Sequence, residues 1–138
     1  MAKILIVEDN ALNVKLFCDL LAAHGHEPRP VTDGRFALDQ AREFGPDLVI
    51  TDIQLPHVTG LDLIRLIRDD DGLKDVPIMA VTAYAAASDE ERIRSAGAQA
   101  YVSKPISVAK FVAQVNELLG LETADGGVRA IDPGSSRE

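Results

Sequence analysis

The strongest constraint on the fold is an alternation. Four short apolar runs, Ile4-Leu5-Ile6-Val7, Leu48-Val49-Ile50-Thr51, Pro77-Ile78-Met79-Ala80-Val81 and Ala100-Tyr101-Val102-Ser103, are separated by stretches with helical periodicity. Runs of this length, closed by acidic, proline or other polar residues, read as buried strands. A fifth strand is expected around residues 26–31, where Pro28 and Pro30 remove two N–H groups from the same lateral side. Such a strand pairs through one side only and belongs at a sheet edge. Strands that alternate with helices form a parallel sheet covered on both faces. The expected fold class is therefore α/β, a doubly wound five-stranded parallel sheet. The order 2-1-3-4-5 places the proline-bearing strand at an edge.

The helical stretches supply the covering layers. The first turns Leu16, Phe17, Leu20 and Leu21 to one face and ends near Gly25. Gly34 opens the second, with Ala37, Leu38, Ala41 and Phe44 inward and Gly45-Pro46 as its stop. The third carries Leu63, Ile64 and Ile67 on one face and ends at Asp69-Asp70-Asp71-Gly72. These acids read as a solvated helix end, because their spacing fits no cation-binding loop. Ser88-Asp89-Glu90-Glu91 reads as a capping box for the fourth helix. That helix runs to about Gly97 and offers only Ile93 and Ala96 inward, so it is expected to be the least tightly held. The last starts at Ser107, shows Val108, Phe111, Val112, Val115, Leu118 and Leu119, and ends at Gly120. Residues 121–138 are rich in Gly, Asp, Pro and Ser and lack periodicity. The reading is one domain over 1–120 and a flexible C-terminal tail over 121–138.

Composition narrows the class. The formal net charge of −8 over 138 residues argues against non-specific binding to nucleic acid or to anionic membrane. Four apolar residues after Met1-Ala2-Lys3 make neither a signal peptide nor a membrane span, so no membrane insertion is expected. Cys18 is the only cysteine, which rules out an intrachain disulfide and suits a reducing compartment. The expectation is a soluble cytoplasmic protein. His24, His26 and His57 have no metal-ligand spacing and are expected on the surface or in loops.

In this order the first and third strands are neighbours, and ligands bind where their carboxyl ends flank the switch point. Glu8 and Asp9 end the first strand, Asp52 the third and Thr82 the fourth, while Lys104 follows the fifth. Three crowded carboxylates raise one another's pKa, and a divalent cation removes the conflict. An oxygen-only site with water access suits Mg²⁺. With the Lys104 ammonium and the Thr82 hydroxyl, such a rim could hold a phosphoryl group through an in-line transfer.

The residues that carry this chemistry resemble those of the receiver domain of two-component response regulators. They are Glu8-Asp9 after Ile-Leu-Ile-Val, Asp52 in Thr-Asp-Ile-Gln-Leu-Pro, Gly60, Thr82 in Val-Thr-Ala, Tyr101 and Lys104-Pro105. More narrowly, Val7-Glu8-Asp9-Asn10 with Asn13, Asp52-Ile53-Gln54-Leu55-Pro56, Asp89-Glu90-Glu91-Arg92-Ile93-Arg94 and Ser103-Lys104-Pro105-Ile106-Ser107 resemble the single-domain DivK type of cell-cycle regulator. No output domain is expected after Gly120, in keeping with that type.

The resemblance implies the flavodoxin-like (CheY-like) (βα)5 fold. It implies that Asp52 accepts a phosphoryl group from a sensor histidine kinase or a phosphotransfer protein. Asp9, Asp52 and the Gln54 backbone carbonyl would bind Mg²⁺, with Glu8 acting mostly through water. Thr82 and Lys104 would contact the phosphoryl oxygens, and the Lys104–Pro105 bond would be cis. Gln54 and Tyr84 hold positions that tune attack of water on the acyl phosphate. The implied targets are downstream kinases, and the expected assembly is a monomer or weak dimer. No enzymatic turnover is implied beyond Mg²⁺-dependent self-phosphorylation and self-dephosphorylation.

A phosphoryl group adds about −1.5 to −2 charge at the rim. Thr82 and Lys104 are drawn toward it, residues 83–87 move with Thr82, and Tyr101 can swing inward. The fourth helix, fifth strand and last helix then present a different surface, a population shift biased by differential contact. Two other readings compete. A pseudo-receiver would keep the fold and bind partners without phosphate. An Mg²⁺ phosphohydrolase would need a second acid two residues after Asp52, where Gln54 stands.

Overall fold

A computed structural model of the chain describes residues 2–83 and 87–120, the side chains of 87–89 excepted. Among them the elements alternate without exception: β1 Lys3–Val7, α1 Ala11–Ala23, β2 Glu27–Val31, a 3₁₀ turn Gly34–Phe36, α2 Ala37–Phe44, β3 Leu48–Asp52, α3 Gly60–Arg68, β4 Ile78–Thr82, α4 Ala87–Ala96, β5 Ala100–Ser103 and α5 Val108–Leu118. The strands form one sheet, ordered β2-β1-β3-β4-β5, with every pairing parallel. β2, with Pro28 and Pro30, is an edge strand, as its missing N–H groups require.

The two sides of each strand feed two cores. Leu5, Val7, Val49, Ile78 and Ala80 face α2, α3 and α4, which contribute Ala41, Phe44, Leu63, Ile64, Ile67, Ile93 and Ala96. Ile4, Ile6, Leu48, Ile50, Met79, Val81, Ala100 and Val102 face α1 and α5. There Phe17 and Phe111 stack with ring centroids 5.2 Å apart, joining the first and last helices over the same face of the sheet. The helix starts obey local chemistry. Asn10 caps α1 by accepting from the N–H groups of Leu12 and Asn13, Thr59 caps α3 and Ser107 caps α5.

Three expectations from the sequence need correction. Leu16 is exposed, so α1 is anchored chiefly by Phe17 and Leu21, and Val108 is exposed beside the Ser107 cap. The helical pattern counted these residues as core because apolarity alone does not say how wide the buried stripe is. The acidic run after α3 is not uniformly solvated. Asp70 accepts from Arg42 Nε at 2.6 Å and from the Gly72 N–H at 3.0 Å, tying α2 to the turn after α3. His26 lies in the loop just before β2, as expected, but is buried there, near the Ala2 N–H. The capping box expected at α4 involves side chains outside the described residues, as does the tail 121–138.

Burial holds the His26 imidazole below its ordinary 6.5. The unfolded chain takes up that proton at a higher pH than the folded one, so stability rises with pH across the interval between them. Acidification from about pH 7 to pH 5 should therefore lower the thermal midpoint, and His26→Gln should flatten that slope. Unchanged slopes in the two proteins would contradict the burial of the neutral ring.

Candidate functional site

Register assembles the site. Val7 lies opposite Thr51, so the next residues, Glu8 and Asp52, meet at the carboxyl ends of β1 and β3. Both continue the side of the strand that carries Ile4 and Ile6, or Leu48 and Ile50. Glu8 is 1% and Asp52 4% exposed, while Asp9 is open to solvent. Each of the three offers a carboxylate oxygen, and these oxygens lie within 4.8 Å of one another. β4 ends alongside at Thr82, which is buried and whose carbonyl accepts the Lys104 N–H at 2.8 Å. The Lys104–Pro105 peptide is cis, as the resemblance implied.

Lys104 answers the crowding. Its Nζ donates to Asp52 Oδ2 at 2.8 Å and lies 3.3 Å from Glu8 Oε1. The other Asp52 oxygen, Oδ1, accepts the Gln54 N–H at 3.0 Å. Glu8 Oε2 accepts the Asn10 N–H at 3.1 Å, but Glu8 Oε1 has no hydrogen-bond partner among the described residues. Its contact with Lys104 is charge attraction without hydrogen-bond geometry. Burial is the main force raising the Glu8 carboxyl above its ordinary value. The Asp52 charge adds to it, while the Asn10 N–H and Lys104 oppose it. Burial alone would lower the Lys104 ammonium, yet its bond to Asp52 and the two nearby charges hold it above its ordinary value.

These shifts set signs. Glu8 binds its proton more tightly folded than unfolded, so its ionisation costs stability as pH rises through that interval. The Lys104 contribution is present below its ordinary 10.5 and is lost as pH rises through the folded value. At neutral pH the ammonium is thus what lets two buried carboxylates coexist. Lys104→Met should cost roughly 2–4 kcal/mol without divalent cation, since it leaves buried charge uncompensated. Millimolar Mg²⁺ should recover most of that loss. Calorimetry with and without the cation tests this; a loss that Mg²⁺ cannot touch would contradict the balance of charge described.

The donor set fits a hard divalent cation. It is all oxygen, one member is open to solvent, and one buried anionic oxygen lacks a hydrogen-bond donor. The structure thus brings together Glu8, Asp9, Asp52, Thr82 and Lys104 as the sequence suggested, with Gln54 at the rim through its backbone N–H. Tyr101 stands half-buried on β5, its hydroxyl donating to Glu90 Oε1 on α4 at 3.1 Å. Tyr84 lies outside the described residues. Sequence reasoning missed the second task of Asn10, whose backbone holds Glu8 while its side chain starts α1. An Asn directly before a helical pattern was the available signal.

The match to known proteins is extensive. Residues 4–116 fit the family model of the response regulator receiver domain. The chain belongs to that family. The receiver is 52% identical over 117 residues to the polar-differentiation response regulator DivK of Brucella anthropi, covering 85% of this chain and 95% of that one. It is 51% identical, over the same shares, to the DivK of Brucella ovis. Among solved structures it resembles the receiver domain of a sensor histidine kinase from Pseudomonas aeruginosa, described with a magnesium ion coordinated in its active-site cleft. The TM-score is 0.80 and the identity 32%, over 86% of this chain and 98% of that one. The Vibrio cholerae chemotaxis protein CheY4 superposes with a TM-score of 0.82 at 25% identity, over the same shares. The receiver is thus a DivK-like response regulator of two-component phosphorylation signalling. No helix among its described residues is long and apolar enough to cross a membrane.

Proposed function

We propose that Asp52 is the phosphoacceptor of this receiver. The observation that supports this best is convergence: Asp52 lies 2.8 Å from the Lys104 ammonium and shares a 4.8 Å cluster with Glu8 and Asp9. An Asp52 carboxylate oxygen attacks the phosphorus of a phosphohistidine on a sensor kinase or phosphotransfer protein. The O–P bond forms as the P–N bond breaks, and the imidazole leaves with the electron pair and takes up a proton. Asp9, Asp52 and the Gln54 carbonyl, with Glu8 through water, would hold Mg²⁺, which when bound neutralises the gathered charge and that of the phosphoryl oxygens. Lys104 gives up its bond to Asp52 and turns to the phosphoryl oxygens, and the Thr82 hydroxyl donates to them. Gln54 and Tyr84, the latter outside the described residues, hold the sequence positions that in this family tune attack of water on the acyl phosphate. The chain's chemistry stops at taking and losing that group.

Thr82 and Tyr101 carry the signal to α4, β5 and α5, whose altered surface is read by kinases, as the DivK likeness suggests. The setting is the cytoplasm, and the unit that folds is 1–120, with 121–138 a tail outside it. A chain ending at Gly120 should keep the thermal transition of the full protein.

The decisive experiment is incubation of the full chain with acetyl phosphate and Mg²⁺. Label should appear only with the cation, should be cleaved by hydroxylamine as an acyl phosphate is, and should map to the peptide that contains Asp52. Label on another residue, or none, would overturn the assignment.

A further inference from the structure

Beyond the core contacts of Ile93 and Ala96, two groups of polar contacts of different character, both among the described residues, hold the fourth helix. At its C-terminal end Arg68 of α3 donates Nε to the Gly97 carbonyl at 2.9 Å and Nη2 to Gln99 Oε1 at 2.7 Å. The same guanidinium donates Nη1 to the Lys74 and Val76 carbonyls at 2.8 and 2.7 Å. Gln99 Oε1 also accepts the Ile78 N–H at 2.8 Å, locking the turn between α4 and β5 to the start of β4. Gly97 has φ +125°, and a Cβ there would stand 2.6 Å from Arg68 Cγ, so a glycine is needed for the arginine stem to pass. This end is multiply bonded and partly buried, and it serves as a fixed pivot.

The other attachment is slight. Glu90 Oε1 accepts the Tyr101 hydroxyl at 3.1 Å, and Glu90 Oε2 accepts Arg94 Nε, one turn on, at 3.1 Å. The Arg94 guanidinium lies 5.8 Å from the Tyr101 ring centroid, and its Nη1 donates to the Gln99 carbonyl at 3.0 Å. The Glu90 and Arg94 side chains are 39% and 50% exposed, so this group can break at small cost. Tyr101 shares its side of the sheet with Ala80, its partner on β4, and with Thr82 two residues farther on. A ring released from Glu90 therefore has Thr82 as its neighbour along that face.

We infer that Glu90, braced by Arg94, is a latch that holds the Tyr101 ring toward α4 and sets how often the unphosphorylated receiver visits the switched packing. The inference rests on the reading of Asp52 and Tyr101 given above and adds the residues that set the resting balance. A state favoured by charge at Asp52 must in return bind that charge more tightly, by linkage. Loosening the latch therefore tightens binding at Asp52 without touching the site. Arg68 and Gln99 keep the far end of α4 in place, so release tilts the helix about that end and does not detach it.

The test uses beryllofluoride, a non-covalent mimic of the phosphoryl group, with Mg²⁺ and the full chain. Glu90→Ala should tighten its equilibrium binding about 3–10-fold, the scale of one solvated hydrogen bond to a charged group. Glu90→Gln, which keeps an acceptor, should restore most of the wild-type value. In a Tyr101→Phe background Glu90→Ala should add nothing further. A second readout needs no phosphate mimic. The bond to Glu90 raises the Tyr101 phenol above its ordinary 10, so the Tyr101 Cζ resonance should titrate at lower pH in Glu90→Ala. Binding that ignores Glu90, or an equal effect in both tyrosine backgrounds, overturns the latch and leaves Asp52 as acceptor. A wild type that binds no beryllofluoride overturns the reading of Asp52, and the latch falls with it.

Discussion

Asp52→Asn is expected to bring labelling by acetyl phosphate down to background, a loss of at least about a thousandfold, as deletion of a nucleophile does elsewhere. The physical reason is local. An amide has no anionic oxygen to attack phosphorus, and no other described carboxylate is both buried at this rim and bonded to Lys104. The variant should still fold. Asn keeps a carbonyl oxygen that can accept the Gln54 N–H now bonded to Asp52 Oδ1. Its NH2 then takes the place of Oδ2 and cannot accept from Lys104, whose partly exposed ammonium turns to Glu8, 3.3 Å away, and to water. One negative charge fewer also relieves Glu8, whose carboxyl is pushed up partly by Asp52. The thermal midpoint without Mg²⁺ should therefore stay close to wild type, while stabilisation by added Mg²⁺ shrinks. Phosphorylation assays and calorimetry on the same preparation separate these effects. Equal labelling of variant and wild type would remove Asp52 from the mechanism; a variant that labels poorly because it is unfolded would show it in the melt.

How much of this was legible in the sequence follows from what each signal encodes. Strand positions, sheet order and the rim constellation were legible because they depend on patterns local in sequence: apolar runs, two prolines that leave only an edge, and polar residues at strand ends. Parallel pairing then does the long-range work, bringing Glu8 beside Asp52 through register alone. What could not be read depends on contacts between elements whose spacing carries no period. Glu90 and Tyr101 meet only because α4 folds back over β5, and Arg68 reaches Gly97 and Gln99 across two connections. Leu16 and Val108 misled for a related reason. A residue type sets a preference for burial, whereas the depth of a helix face or strand edge sets the outcome. The family likeness named Gly60 without saying why it must be glycine.

That reason is steric, and it carries the other large effect. Gly60 is the first residue of α3, and its N–H donates to the Ile53 carbonyl at 2.9 Å, folding the loop after β3 back onto the strand end. A Cβ added at this position would collide with the Asp52 carbonyl oxygen and stand 2.6 Å from Ile53 Cα. Both are backbone atoms at the end of a central strand and cannot rotate away as a flexible side chain would. Gly60→Ala should therefore lower stability by about 3 kcal/mol, the upper range for overpacking in a tightly filled interior. For a domain of this size that shifts the thermal midpoint by roughly 10–15 °C. Gly72→Ala is the control: its Cβ would meet only Asp70 Oδ1 at 3.5 Å, ordinary contact, and it should be close to neutral. The cost at Gly60 also reaches the chemistry. The backbone it displaces is that of Asp52 itself, and a displacement of about 1 Å between nucleophile and phosphorus can cost about a hundredfold in rate. Labelling of Gly60→Ala, measured below its lowered melting point, should thus fall well over tenfold although no group at the rim has been removed. If Gly60→Ala melts and labels like Gly72→Ala, the close approach between α3 and the Asp52 backbone is not what aims the carboxylate.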